Sequence, residues 1–197
     1  MRPINWVVAL LLLLCTATFV QADPITFEER SDGESIINQY PGVLFSNATA
    51  IRAGISLNEF SFPPHSGVAV VFDDGGALAL TFINPVSAFG AYFTYTTQLT
   101  LVAYDASNNP IATMMSSFSN NTADGGDPGS TANELILFTM SGISRITITG
   151  LPTGSSFVMD DVTFTEAATA VPEPATLVLM ALGLPALARW RKRRNCK

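Results

Sequence analysis

Cysteine and lysine are missing from the stretch between Asp23 and Val171, and histidine occurs there only once, at His65. The two cysteines of the chain, Cys15 and Cys196, lie close to its ends. One histidine without cysteine excludes a histidine- and cysteine-rich zinc site in this stretch. A domain without disulfides must be held together by its core, and about 150 residues are enough for that.

Basic residues are also scarce in this stretch. Arg30, Arg52 and Arg145 stand against fifteen carboxylates, so the net charge there is −12. Binding of a polyanion depends on lysine and arginine, because they release its counterions. Nucleic acid is therefore a poor partner for this part of the chain.

The first 22 residues have the pattern of a cleaved secretory signal. A basic start at Arg2 precedes an apolar stretch over residues 6–14, and the small-residue site "FVQA" ends at Ala22. Signal peptidase recognises this arrangement, which predicts a signal helix at 1–22 and a cut between Ala22 and Asp23. The alternative is an uncleaved membrane anchor, although the apolar region is short for one.

The last 31 residues divide into a linker at 167–174, an apolar run at 175–188 and a basic tail at 189–197. As a helix, the fourteen-residue apolar run would rise about 21 Å, which is short for a hydrocarbon core of about 30 Å. The run therefore predicts a marginal transmembrane helix. Lysine and arginine beside a spanning segment stay on the cytoplasmic side. The predicted membrane stop signal consists of Arg189, Arg191, Lys192, Arg193 and Arg194.

The linker contains Val171, Pro172, Glu173 and Pro174. Each proline fixes its own φ and disfavours the α region in the residue before it, so this motif is presented as an extended strip. A protease-like enzyme can bind such a strip.

The order of this motif, the short apolar run and the arginine-rich end resembles the PEP-CTERM sorting signal of exported bacterial proteins. The resemblance covers about 25 residues. It implies a membrane-embedded exosortase as partner, which cuts near Pro172–Pro174. It also implies an exported protein, anchored in the membrane before processing and later at the cell surface or outside the cell, in bacteria that secrete exopolysaccharide. The alternative is an ordinary tail anchor with a proline-rich hinge.

The central region, 23–166, predicts an all-β domain. Segments such as "GVAVVF", "FGAYFTYT", "LTLVAYDA" and "RITITG" are rich in β-branched and aromatic residues and are separated by Gly, Pro, Asn and Asp. Nine to eleven such strands favour an antiparallel β-sandwich of jelly-roll type. Asp73 and Asp74 predict a hairpin turn. Ser119–Asn133 predicts a long, mobile polar loop.

The acidic residues at the two ends of this domain predict a structural calcium site. Strand alternation places Asp160 on one face with Val158, Val162 and Phe164, where an unpaired charge is costly. An initial Phe-Glu and a terminal Asp-Asp-Val-Thr-Phe resemble carbohydrate-binding-module-type jelly rolls and many PEP-CTERM ectodomains. That resemblance implies Ca²⁺ bound by Glu28, Asp160 and Asp161. The alternative is carboxylates that are hydrogen-bonded or reach solvent.

The sequence offers little for catalysis. It has no G-x-S-x-G motif, and His65 lies in the loop-like segment "FPPHSG". We therefore expect a cell-envelope or extracellular-matrix protein that is not an enzyme and that binds or supports exopolysaccharide. Aromatic residues on a sandwich face can stack on sugars or pack in the core; the candidates are Tyr92, Phe93, Tyr95 and Tyr104. A secreted glycoside hydrolase is the alternative, because it needs only two carboxylates.

Overall fold

The computed structural model describes residues 23–167, which form an antiparallel all-β fold without a helix. The predicted signal peptide, the linker from residue 168 onward, the apolar run and the basic tail lie outside these residues. Within the described part of the chain, no helix is long and apolar enough to cross a bilayer.

Eight strands make up the sheet: β1 (Val43–Ser46), β2 (Ala48–Arg52), β3 (Ala69–Asp73), β4 (Leu78–Tyr95), β5 (Thr100–Tyr104), β6 (Pro110–Met115), β7 (Glu134–Thr149) and β8 (Phe157–Glu166). Their hydrogen-bonded order is β2-β3-β8-β4-β7-β5-β6, and β1 pairs with β4. All strand pairs are antiparallel.

Two strands, β4 and β7, are 18 and 16 residues long and each contributes to two layers. Layer A contains β1, residues 78–82 of β4, residues 145–149 of β7, β5 and β6. Layer B contains β2, β3, β8, residues 88–95 of β4 and residues 134–139 of β7. The register of β4 shifts around Val86, where it passes from one layer to the other.

The path of the chain between the layers is that of a jelly roll. From β3 to β8, successive segments lie in layers B, A, B, A, A, B, A and B. This is the double Greek-key arrangement of a two-sheet jelly roll, with β1 and β2 added at the edges. The structure has eight strands and not the predicted nine to eleven, because β4 and β7 each run through both layers as one long strand.

One hydrophobic core lies between the layers. Alternating residues of both layers meet there, among them Phe89 and Phe93 of layer B and Leu80, Leu101 and Ile146 of layer A, all fully buried. Each such side chain stabilises the fold by about 1.5–3 kcal/mol relative to an exposed position.

A second, smaller cluster covers part of the outer face of layer B. Leu57 and Phe62, from the connection between β2 and β3, pack with Val70 of β3 and Val158 of β8. The connection thus covers the β3 side of this outer face. The β7 side remains open, with Leu135 and Leu137 about half exposed.

The polar loop at 119–133 is tied to the domain by hydrogen bonds. Asn121 is fully buried; its carboxamide accepts from the Tyr95 amide at 2.7 Å and donates to the carbonyls of Phe93 and Thr131. Asp127 accepts hydrogen bonds from the amides at the start of the loop. The polar composition predicted a mobile loop because it does not reveal which of these side chains is turned inward.

Candidate functional site

A β-bulge in β8 determines the geometry around Asp160 and Asp161. Gly90 of β4 pairs with Thr163, whereas Tyr92 pairs with Asp160, so β8 has one residue more than β4 between these two pairs. Asp161 takes up the extra residue in a left-handed conformation, with φ of 47°. Bulges bend a strand and re-aim its side chains.

The bulge changes which residues share a face. Val162 belongs to the main core and Phe164 packs against it, whereas Val158 belongs to the cluster on the outer face of layer B. Asp160 pairs with Tyr92 on the outer side. The prediction that Asp160 shares a face with Val162 and Phe164 is therefore wrong, because one inserted residue reverses the alternation beyond it.

Asp160 is held entirely by backbone donors. It is 1% exposed, and its Oδ2 accepts hydrogen bonds from the amides of His65 and Ser66, both at 2.9 Å. Its Oδ1 accepts from the Asp161 amide at 2.7 Å. These bonds fix the loop carrying His65 onto the outer face of layer B.

Asp161 holds the side chains of the same loop. The Nδ1 atom of His65 lies 2.5 Å from Asp161 Oδ2, and the Ser66 hydroxyl donates to Oδ1 at 2.7 Å. The imidazole stacks on the ring of Tyr92, with centroids 3.4 Å apart and an interplanar angle of 10°. His65, Ser66, Tyr92, Asp160 and Asp161 are called the His65 cluster below.

The cluster orients one edge of His65 toward solvent. Because Nδ1 is engaged by Asp161, Nε2 is the ring nitrogen left for another partner, as an acceptor in a neutral imidazole and as a donor in an imidazolium. The His65 side chain remains 36% exposed. The stack on Tyr92 and the contact with Asp161 hold this nitrogen in a fixed place.

An open strip of layer B continues beside the cluster. Leu135 pairs with Tyr92, and Leu137 pairs with Gly90, which in turn pairs with Thr163. The two leucines are 51% and 50% exposed. The strip therefore combines apolar surface, a threonine hydroxyl and the edge of His65.

Burial and, to a lesser extent, the neighbouring Asp161 carboxylate raise the pKa of Asp160 to about 6, against the hydrogen bonds from Ser66, Asp161 and His65. An ordinary aspartate has a pKa of about 3.9. The folded chain therefore binds this proton more tightly than the unfolded chain does. The stabilisation that results is complete below about pH 4 and is lost as the pH rises through about 6.

We expect Asp160 to lower the free energy of unfolding by about 1.5 kcal/mol between pH 5 and pH 7.5. In Asp160→Asn the free energy of unfolding should depend less on pH over this range, since the titrating group is gone. Urea unfolding at a series of pH values measures it. Asp74→Asn removes an equal charge at an exposed position and should leave the slope unchanged. A wild-type slope that persists in Asp160→Asn would contradict the assignment.

Glu28 lies near the His65 loop but binds the backbone at the start of β3 and not the His65 cluster. Its Oε1 accepts hydrogen bonds from the amides of Val68 and Ala69 at 2.8 and 2.7 Å, and its Oε2 lies 3.8 Å from Arg52. A bridge between Ile25 and Val162 brings the first segment beside β8.

The predicted calcium ligands do not form an oxygen-rich shell in the described part of the chain. All four carboxylate oxygens of Asp160 and Asp161 face N–H or O–H groups. No group of three or more acidic, histidine or cysteine side chains is placed to hold a metal among residues 23–167. Calcium prefers six to eight oxygen ligands, which this arrangement does not fit. Calcium binding stays a prediction.

The four aromatic residues predicted as sugar platforms or core residues have different positions. Phe93 and Tyr95 are fully buried, and the Tyr95 hydroxyl bonds to Glu134. Tyr92 lies beneath His65, and Tyr104 lies beneath the guanidinium of Arg145, 4.0 Å from the ring centroid. Phe93 and Tyr95 therefore belong to the core, and Tyr92 and Tyr104 each have one face covered by a neighbouring side chain.

Sequence reasoning missed the role of His65. The segment "FPPHSG" suggested a loop, which is correct, but the partner of the histidine is 96 residues away. No local signal joins the two positions. Only the Asp-Asp pair between the apolar residues Met159 and Val162 hinted that β8 needed a polar partner.

The carboxyl-terminal region supplies an independent finding. Residues 170–194 match the family model described as the PEP-CTERM protein-sorting motif. The chain carries a PEP-CTERM sorting motif. The match includes the predicted motif Val171–Pro174 and the predicted stop signal. The PEP-CTERM motif indicates an exported, membrane-anchored precursor and implies an extracellular protein sorted by exosortase.

A separate comparison with solved structures finds proteins with a loosely similar fold. A DUF4465 family protein from Bacteroides caccae is 12% identical, with a TM-score of 0.49, covering 75% of this chain and 100% of that one. The CBM22-1 xylan-binding domain from Paenibacillus barcinonensis is 12% identical, with a TM-score of 0.37, covering 77% and 100%. Such scores say nothing about what this chain binds. No curated protein matches the chain.

Proposed function

We propose that this protein is an exosortase substrate of the cell surface or extracellular matrix whose jelly roll binds extracellular polysaccharide without cleaving it. The PEP-CTERM motif supports the first part. In this proposal a carboxyl-terminal helix at 175–188 holds the precursor in the membrane. Exosortase then cuts near Pro172–Pro174, and the domain is released or attached at the surface.

The open strip beside the His65 cluster supports the second part. Sugar rings have apolar C–H faces and many hydroxyls. Leu135 and Leu137 offer apolar surface, and Nε2 of His65 offers a hydrogen-bonding atom in a fixed place. A sugar hydroxyl can donate to such an atom or accept from it, and a group held in place binds at a lower entropic cost than a mobile one.

A binding role agrees with the chemistry of the acidic pair better than hydrolysis does. Glycosidases place two carboxyl groups on either side of the substrate, about 5–9.5 Å apart. Asp160 has the raised pKa of a general acid, but it is buried and its oxygens are bound to backbone amides. Asp161 is its direct neighbour in β8 and also has both oxygens engaged.

Retention on polysaccharide tests the proposal. The processed protein from the native host is incubated with the host's exopolysaccharide, and pull-down and released reducing sugar are measured. We expect retention without release. Leu135→Ala combined with Leu137→Ala should weaken retention about tenfold or more, equivalent to about 1.4 kcal/mol.

The matched control is Leu44→Ala, a 43% exposed leucine in β1 of layer A, which should leave retention unchanged. Release of reducing sugar by the wild type would contradict the non-catalytic role. Absence of wild-type retention would contradict polysaccharide binding. Equal retention by the double variant would show that the strip is not the binding surface.

A further inference from the structure

Each layer of the fold ends in two strands that have a neighbouring strand on one side only. In layer A these are β1 and β6, and in layer B they are β2 and residues 134–139 of β7. An edge strand presents a row of N–H and C=O groups with which another chain can pair, and native proteins commonly block such edges. The four edges of this domain differ in how they are blocked.

Three of the four edges are protected. The segment 33–37 is hydrogen-bonded to two of them: it exchanges backbone bonds of 2.8 Å with Ala50 of β2 and accepts one of 2.7 Å from the Phe45 amide of β1. The third edge, β6, begins with Pro110, which has no N–H group, and its pairing with β5 shifts register there. Proline and register shifts both hinder the addition of a further strand.

Residues 134–139 of β7 have none of these protections and are called the β7 edge below. They pair with β4 on one side, and among residues 23–167 no other backbone segment bonds to them. Their sequence, "ELILFT", contains no proline and no lysine. Its one charged side chain, Glu134, is bound to the Tyr95 hydroxyl and the Ser117 amide. An apolar edge without a free charge favours pairing with another strand.

The β7 edge is complementary to a second copy of itself. In an antiparallel pairing with a twofold axis at Ile136, Leu135 lies opposite Leu137 of the second copy, and Leu137 lies opposite Leu135 of the second copy. Both leucines are about half exposed, so the two copies bring four leucines together. A basic partner would find no free carboxylate on this edge, since Glu134 is already bound.

We propose that two copies of this domain associate by antiparallel pairing of their β7 edges. Layer B then continues from one copy into the other, and the two open strips form one continuous surface. Each copy has one such edge, so the association ends at the dimer. The inference goes beyond polysaccharide binding and does not require it, because the pairing uses the backbone of the edge.

The size and charge of the contact determine its strength. Six paired residues span about 20 Å, so the contact belongs to the small and weak class of specific interfaces. The stretch from Asp23 to Val171 carries a net charge of −12 in each copy, which opposes association. We therefore expect a Kd of about 10–100 μM. The dimer should become tighter at high salt, because salt screens the repulsion between like charges.

Sedimentation velocity of the processed protein from the native host, at about 1–300 μM, measures this association. We expect a monomer that converts to a dimer and to no larger species. Leu137→Lys places a charge in the pairing and should weaken the dimer about tenfold or more. The matched control is Leu44→Lys, at a 43% exposed leucine of β1, an edge that is already bonded to the segment 33–37. It should leave the dimer unchanged.

Cysteine cross-linking tests the register of the pairing. The stretch from Asp23 to Val171 has no cysteine that could compete with an introduced one. A mixture of Leu135→Cys and Leu137→Cys proteins should form a disulfide under mild oxidation, because opposite Cβ atoms lie about 4.5–5.5 Å apart. Neither variant alone should cross-link, because its two cysteines are then displaced by two residues, or about 7 Å, along the strands.

A monomer at every concentration would overturn the inference. Equal association of Leu137→Lys and the wild type would also overturn it, as would cross-linking of a single cysteine variant to the same extent as the mixture. If exopolysaccharide is still retained in those cases, the proposed function stands without the dimer. An intact dimer without retention of exopolysaccharide would instead count against the proposed function alone.

Discussion

Replacement of Pro172, Glu173 and Pro174 by alanine is expected to leave the protein uncut at its carboxyl end. The two prolines disfavour helix, so the sequence predicts an extended strip here, the form that a processing enzyme binds. Alanine favours helix, so the triple change removes the reason to expect that strip. Mass spectrometry of the protein from the native host should then find Trp190 and the basic residues after it still attached.

The wild-type protein should lack these residues in the same measurement. Thr169→Ser, a change just before the motif, is the control and should be processed like the wild type. An ordinary tail anchor predicts another result: an intact carboxyl end in the wild type. Normal processing of the triple-alanine variant would contradict the role of the motif.

Asp73→Ala is expected to have the largest effect on stability among the acidic residues, about 3–5 kcal/mol. Asp73 is fully buried at the end of β3. Its Oδ1 accepts from the amides of Ser156 and Phe157 at 2.8 and 3.1 Å, and its Oδ2 from the Ser156 hydroxyl at 2.8 Å. Alanine would leave three buried donors without a partner. Urea unfolding followed by circular dichroism measures the loss.

Two further variants keep this prediction testable if the alanine variant fails to fold. Asp73→Asn retains one acceptor and should cost less than the alanine change. Asp74→Ala, at the next position, removes one hydrogen bond to the Thr49 hydroxyl at an exposed site and should cost about 1 kcal/mol or less. Similar losses for Asp73→Ala and Asp74→Ala would show that Asp73 is an ordinary turn residue.

The comparison of these two aspartates shows where sequence reasoning ends. The Asp-Asp-Gly-Gly pattern correctly predicted a turn, and Gly75 and Gly76 have φ of 83° and 135°. The two carboxylates looked equivalent, since composition does not show which one points inward. Asp73 is instead a buried link between β3 and β8, which are 83 residues apart at the contact with Ser156.

The bulge in β8 is a second example. Alternation correctly predicted a strand over "FVMDDVTFT", but it cannot reveal an inserted residue, which shows only in the strand pairing and in the φ of Asp161. That residue decides which face Asp160 occupies and therefore which loop it binds. Likewise, "FPPHSG" predicted the loop but not the contact of His65 with Tyr92.

The sequence alone determined what depends on neighbours in the chain. Strand composition, the turns and the ordered sorting motif are local, because backbone propensity and a peptide read by an enzyme involve only a few consecutive residues. The tertiary structure decided which carboxylates are buried and how His65 is oriented. These depend on residues dozens of positions apart meeting in space, and the chain connectivity of a jelly roll leaves no local signal of such meetings.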